Sequence, residues 1–188
     1  DVRLRGVNVG LNWVSSGDVH TAYIPFTEDG TYNWGLEYTD MAGNVGQGYS
    51  SGEFVIDKTA PVVDVTWDNN DARNGNYYKN VRTATITVRE RNFDASRFNV
   101  SGGSLSGWSS NGDIHTARVT FGDGEHKLTV SGADLAGNQS NTYDSGSFIV
   151  DTVSPELNIV GVSDGASYDG DVLPVITFSD KYINANSV

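Results

Sequence analysis

DMAGNVGQGYSSGEFVIDKTAP occupies residues 40–61, and DLAGNQSNTYDSGSFIVDTVSP occupies residues 134–155. Both open on Asp-X-Ala-Gly-Asn and both close on Pro, 94 residues apart throughout. Upstream, WVSSGDVHTAYIPF (Trp13 to Phe26) faces WSSNGDIHTARVTF (Trp108 to Phe121) at an offset of 95, so the second copy has lost one residue between Phe121 and Gly124. Downstream, ATITVRERNFDA (Ala84 to Ala95) resembles PVITFSDKYINA (Pro174 to Ala185) at an offset of 90, which makes the later copy's loop four residues shorter. A period in the nineties is too long for a solenoid repeat and is about the size of one sandwich domain. The expected organisation is a complete unit over residues 62–155, the later part of a unit over 1–61, and the first part of another over 156–188.

Inside the unit the hydrophobic period is two. Val63, Val65 and Trp67 alternate with Asp64 and Thr66. Ala84, Ile86 and Val88 alternate with threonines, as do Ala117, Val119 and Phe121 with Thr116, Arg118 and Thr120. Leu128 and Val130, then Phe148 and Val150, continue the pattern. Such strands have one buried and one wet face. Turn formers separate them: Asn69-Asn70-Asp71, Asn74-Gly75, Gly102-Gly103, Asn111-Gly112 and Gly122-Asp123-Gly124. The class is therefore all-β, with short strands and Gly-rich turns that argue for a sandwich. Clean alternation on both flanks predicts a hairpin at Gly122–Gly124. Trp67, Ile86, Val88, Phe121, Leu128, Val130, Phe148 and Val150 are the expected core.

Composition narrows the function classes. The chain has 188 residues, no Cys, and a formal net charge of −12. A strongly acidic chain is a poor partner for nucleic acid, whose phosphates demand clustered Lys and Arg. No run of about 18 apolar residues exists to insert in a membrane. No pair of acids stands out as a glycosidase dyad. His20 and His115 recur in Gly-Asp-(Val/Ile)-His-Thr-Ala, but without Cys or a neighbouring His they read as strand-edge residues, not zinc ligands. The expectation is a non-enzyme.

The motif Asp-X-Ala-Gly-Asn, about ten residues, then Phe-Val-Ile-Asp-Lys-Thr-Ala-Pro resembles the bacterial immunoglobulin-like repeats of large surface proteins and adhesins. Asp40, Ala42, Gly43, Asn44, Phe54, Asp57 and Pro61 carry it in the first copy, and Asp134, Ala136, Gly137, Asn138, Phe148, Asp151 and Pro155 in the second. The resemblance implies tandem immunoglobulin-like sandwiches in a secreted or wall-attached bacterial protein, serving as structural or adhesive spacers with neighbouring repeats as partners. Three residues separate Asp57 from Pro61, and a junction that short with a Pro in it is semi-rigid.

Some related adhesin repeats bind Ca²⁺ at such junctions. The implied ligands are Asp40, Asn44 and Asp57, and their counterparts Asp134, Asn138 and Asp151, with Asn69, Asn70 and Asp71, or Asp164 and Asp169, supplied by the following unit. Ca²⁺ takes six to eight oxygens. The weightier alternative is that these acids only cap turns, since no loop has EF-hand spacing. The competing function is a carbohydrate-binding accessory module that meets a host or cell-wall glycan through Tyr77 and Tyr78, expected as freer rings in the Asn74-Gly75-Asn76 loop. Tyr32, Trp34, Leu36 and Tyr38 share one strand phase and read as core instead. Residue 1 lies inside a patterned segment, as expected of a piece from a longer chain. Residues 1–61 lack the first two strands of a unit and 156–188 carry those two alone, so another copy of the chain is expected to pair its 156–188 with 1–61.

Overall fold

The computed structural model describes residues 1–183; Ala185, the end of the expected strand match, and Val188 lie outside the described residues. The protein is all-β, with a single 3₁₀ turn at Ala95–Arg97 among the described residues. Seven short strands come first: β1 (Val2–Arg5), β2 (Val14–Ser16), β3 (Val19–Thr21), β4 (Gly30–Tyr32), β5 (Gly35–Tyr38), β6 (Tyr49–Ser50) and β7 (Phe54–Ile56). Nine follow: β8 (Val62–Trp67), β9 (Tyr77–Tyr78), β10 (Arg82–Arg89), β11 (Phe98–Ser101), β12 (Ser104–Leu105), β13 (Ser109–Asn111), β14 (Ile114–Phe121), β15 (Gly124–Gly132) and β16 (Tyr143–Val150). The last two are β17 (Glu156–Val160) and β18 (Val175–Ser179).

Residues 62–150 form two sheets over one core. One sheet runs β12-β14-β10-β8 with β13 also on β14; the other runs β11-β15-β16-β9. All pairings are antiparallel except β16 with β9. Strand β10 is central because its Thr-Ala-Thr-Ile-Thr-Val run can be flanked on both sides: Ile86 stands opposite Val65 and Ala117. The period-two residues of the two sheets meet. Ala84, Ile86, Val88, Val119 and Phe121 from one, and Leu128, Val130, Phe148 and Val150 from the other, form a single buried cluster. Trp67 packs on its margin and donates its indole N–H to the Tyr143 hydroxyl at 2.8 Å. Arg82 is buried too, its guanidinium 3.9 Å from the centre of the Trp67 ring and 4.1 Å from that of Tyr78. Rings with negative faces make such a site tolerable for a cation.

The Gly122–Gly124 turn is not a hairpin. Strand β14 pairs with β10, β12 and β13, while β15 pairs with β11 and β16, so the turn carries the chain from one sheet to the other. Alternation reports which face of a strand is buried, not which strand lies beside it. Phe121 and Leu128 come from different sheets and enter one buried cluster.

In the first segment, strands pair as β1-β5-β6, β2-β3 and β4-β7. Phe26 packs on Tyr32 and Phe54 at 5.1 and 5.0 Å between ring centres, and Trp34 on Tyr49 at 4.9 Å. Ala22 to Phe26 carry no ladder, whereas their counterparts Ala117 to Phe121 are strand because β10 lies alongside. Strands β17 and β18 pair with Leu157 opposite Phe178 and Ile159 opposite Ile176. The same geometry puts Val63 opposite Val88 and Val65 opposite Ile86 in β8 and β10.

Candidate functional site

The site grows from the Asp-X-Ala-Gly-Asn turn. Asp134 Oδ1 accepts the backbone N–H of Gly137 at 2.7 Å and of Asn138 at 2.9 Å, and Oδ2 accepts the Asn138 side-chain amide at 2.7 Å. Gly137 has φ of 96°, a left-handed conformation that glycine adopts without strain. The first copy repeats the turn: Asp40 Oδ1 accepts from Ala42 and Asn44 N–H, each at 2.8 Å, and Oδ2 from the Asn44 amide at 2.6 Å. These bonds, led by the Asn44 side chain, hold the Asp40 carboxyl below the usual aspartate range. The difference is burial: Asp134 is fully buried and Asp40 exposed.

Two other parts of the chain meet the Asp134 turn, the segment after β10 and the end of β7. The Leu135 N–H donates to the Asn92 carbonyl at 3.0 Å, and the Arg97 guanidinium to the Asp134 carbonyl at 3.1 Å, tying the turn to the segment after β10. In that segment Glu90 is buried and its Oε1 accepts the Asn92 backbone N–H at 2.6 Å. Asp57, one residue past β7, closes the site from the other side. Its Oδ2 meets the Asn92 side-chain amide, and its carbonyl accepts the Asn138 amide at 3.0 Å. Carboxylate oxygens of Asp57, Glu90 and Asp134 lie within 4.8 Å of one another. No ion pair among the described residues involves these three acids. Burial, then the negative charges of Asp57 and Asp134, push the Glu90 carboxyl up.

The linking residues are strapped down. Asp29 Oδ1 accepts the Lys58 N–H at 2.9 Å and Oδ2 the Thr59 hydroxyl at 2.6 Å. Asp57 Oδ1 accepts the Thr59 N–H at 3.1 Å. Pro61 is fully buried at the start of β8. The next junction repeats the strap: Asp123 takes the Thr152 N–H at 2.7 Å and its hydroxyl at 3.0 Å, and Asp151 takes the Val153 N–H at 3.2 Å.

Several expectations change. The acids do not meet within one copy as Asp40 with Asp57 and Asp134 with Asp151; Asp57 of one copy meets Asp134 and Asn138 of the next. The turn between β15 and β16 reaches back to the residue that follows β7. Asp40 and Asn44 bond within their own turn. Asp151 instead lines a cavity with Asp123, Asp180 and Lys181. Asn138 is not placed to lend an amide oxygen, because its nitrogen points at both Asp134 and Asp57. Asn69 and Asn70 receive the Arg82 guanidinium, and Asp71 belongs to their turn. Asp164 and Asp169 are exposed between β17 and β18.

Tyr77 and Tyr78 are not free rings in a loop. Both lie in β9, Tyr78 is 9% exposed and packs edge-on to Phe148 at 6.0 Å, and Tyr77 packs edge-on to Tyr182 at 5.8 Å. Pairing with β16 leaves Tyr78 on the buried face, where it offers no open face to a sugar.

Glu90, Asn92 and Asp29 escaped the sequence reading, yet a signal was there. Glu90 aligns with Asp180 inside the segment already matched at offset 90, and Asp29-Gly30 aligns with Asp123-Gly124 at offset 94. An acid at the same place in both copies was the clue. Comparison with known proteins finds no matching family model and no matching curated sequence.

Proposed function

We propose that this chain is a non-catalytic spacer of immunoglobulin-like units, part of a secreted or surface-exposed bacterial protein, whose task is to hold its neighbours in line. The observation that carries this reading is the contact across residues 58–61. Asp57 bonds to Asn92 and Asn138 of the following unit, and Asp29 straps the link from behind. Two units docked through several polar contacts and a buried Pro bend less than two joined by a free linker.

The same contact is a candidate Ca²⁺ centre. Three carboxylates converge there, the donor type a hard divalent cation selects. Asp57, Glu90 and Asp134 would hold the ion, with Asn92 and Asn138 orienting them. A bound cation would supply the positive charge that three crowded carboxylates lack and so tighten the junction. The resemblance to adhesin repeats points the same way.

Melting and small-angle scattering of the 188-residue chain, in chelator and in millimolar Ca²⁺, test both parts. A stiff junction predicts an elongated particle in which Asp57→Ala increases bending. Ca²⁺ should raise the melting temperature of the wild type and leave the Asp57→Ala variant unmoved. An unchanged melting temperature removes the metal, and unchanged scattering in the variant removes the junction.

A further inference from the structure

The spacer reading does not use the repeated Gly-Asp-(Val/Ile)-His-Thr-Ala motif, and His115 shows what the motif does. The residue is second in β14 and buried. Its ring lies flat on Phe93, with centres 4.0 Å apart and planes 9° apart. Nδ1 is 2.7 Å from the Ser110 hydroxyl, and Nε2 is 2.7 Å from the backbone carbonyl of Glu90. A carbonyl only accepts, so Nε2 carries the hydrogen. In the neutral ring Nδ1 is then the acceptor and Ser110 the donor.

Glu90 stands one residue beyond the last rung of the β10–β14 ladder, Arg89 opposite Ile114. Its N–H donates to the Asp113 carbonyl at 2.8 Å. Both backbone groups of Glu90 are therefore held by the β13–β14 hairpin, the carbonyl by His115 and the N–H by the turn. In the first copy the hairpin makes the equivalent bond, Ser15 to His20 Nδ1 at 2.6 Å, although that ring is exposed. The Ser–His bond is thus made within the hairpin whether the ring is exposed or buried.

We infer that His115 is a positioning residue of the junction: its Nε2–H fixes the Glu90 backbone and thereby aims the Glu90 carboxylate at Asp57 and Asp134. The inference rests on the docked junction proposed above and needs no cation. It also accounts for a repeated histidine without a metal, since Nδ1 is engaged by serine in both copies.

The test uses the whole chain in chelator at neutral pH. Ring nitrogen shifts of the wild type should report the Nε2-protonated tautomer at His115; the Nδ1-protonated tautomer overturns the inference without any variant. His115→Gln keeps a donor near Nε2, and His115→Leu keeps apolar volume without one. Exchange protection of the Glu90 N–H should fall by about tenfold in the Leu variant, the scale of one lost hydrogen bond. The Asn92 side-chain amide signals should move with it. In the Gln variant both should stay near wild type, and protection at Val119 should serve as the control for global stability. Unmoved Glu90 and Asn92 signals in the Leu variant, or a Gln variant as perturbed as Leu, overturn the brace. Asp57→Ala separates the two readings: if it leaves the Asn92 signals unmoved, the docked junction itself is wrong.

Discussion

Replacing Glu90 by Gln is the sharpest probe of the junction, because it removes one charge and little else. The amide oxygen can still accept the Asn92 N–H now held by Oε1. The carboxylate oxygens of Asp57 and Asp134 lie within 4.8 Å of that of Glu90. Like charges at such a spacing repel by about 1 kcal/mol per pair in bulk water and by about 3–4 kcal/mol at an effective dielectric near 20. The amide of Asn92 on Asp57, and that of Asn138 on Asp134, offset part of this. The expected result in chelator at pH 7 is a Gln variant more stable by about 1–2 kcal/mol. The pH dependence fixes the sign. The Glu90 carboxyl is raised in the fold, so the folded state binds its proton more tightly than the unfolded one. Wild-type stability from this group is full below the unfolded glutamate value and is lost as pH rises through the folded value. The two proteins should therefore match in acid and diverge toward neutrality. Thermal melts from pH 4 to 8 measure the divergence, about 4–8 °C per kcal/mol for a unit of this size. Ca²⁺ should lift the wild type and leave the variant, reversing their order. A Gln variant less stable than wild type at pH 7 in chelator would refute the crowded-carboxylate argument.

Other perturbations separate the levels of the structure. Phe148→Ala removes a ring that is 2% exposed and packs on Trp67 at 5.3 Å and Phe121 at 5.2 Å; the loss should be about 3–5 kcal/mol by hydrogen exchange of the β10 and β14 amides, and a loss below about 1 kcal/mol means the two-sheet core is wrong. Gly137→Ala puts a side chain at φ of 96° with nothing within 4 Å of the new Cβ, so backbone strain alone should cost about 1–2 kcal/mol in a melting experiment; a neutral outcome would show that the turn relaxes. In light scattering, a solution of this 188-residue chain should associate with rising concentration. Leu157, Ile159, Ile176 and Phe178 are exposed on β17 and β18 in the register of β8 and β10, while Ala22 to Phe26 lack a strand partner. A monomer at all concentrations counts against strand exchange between copies.

Much of this architecture was legible because burial writes itself into alternation. Ile86, Val88, Phe121, Leu128, Val130, Phe148 and Val150 were found by period two, and all are buried. Trp67 was found by the same rule and is only half-buried, since its indole N–H needs the Tyr143 hydroxyl near the rim. Partnership was less legible. The same alternation that located β14 and β15 suggested a hairpin between them, because period two cannot tell a neighbour in the sheet from a strand facing across the core. Tyr77 and Tyr78 were misplaced for a related reason: a two-residue strand between turn formers has no period, and parallel pairing with β16 is a long-range event.

The candidate site shows why a repeat must be read across its boundary. The Asp-X-Ala-Gly-Asn turn and the strand-end aspartate belong to one quoted sentence of sequence, so they invite pairing within a copy. In space the strand-end Asp57 meets the later turn at Asp134 and Asn138, not the turn at Asp40 in its own stretch. Asp40 and Asp134 both take the backbone N–H and the side-chain amide of the turn's Asn, yet one is exposed and the other fully buried. The turn is built by its own five residues, and the segment after β10 together with Asp57 then takes the Asp134 carboxylate out of water. Desolvating an acid beside two others is unfavourable unless something compensates, so a contact built this way is conditional. It should hold firmly when a proton or a cation balances the charge and loosen when neither is present. On the proposed reading, units of this kind form a rod whose stiffness is set at each junction by the solution around it, while the sandwich cores stay unchanged.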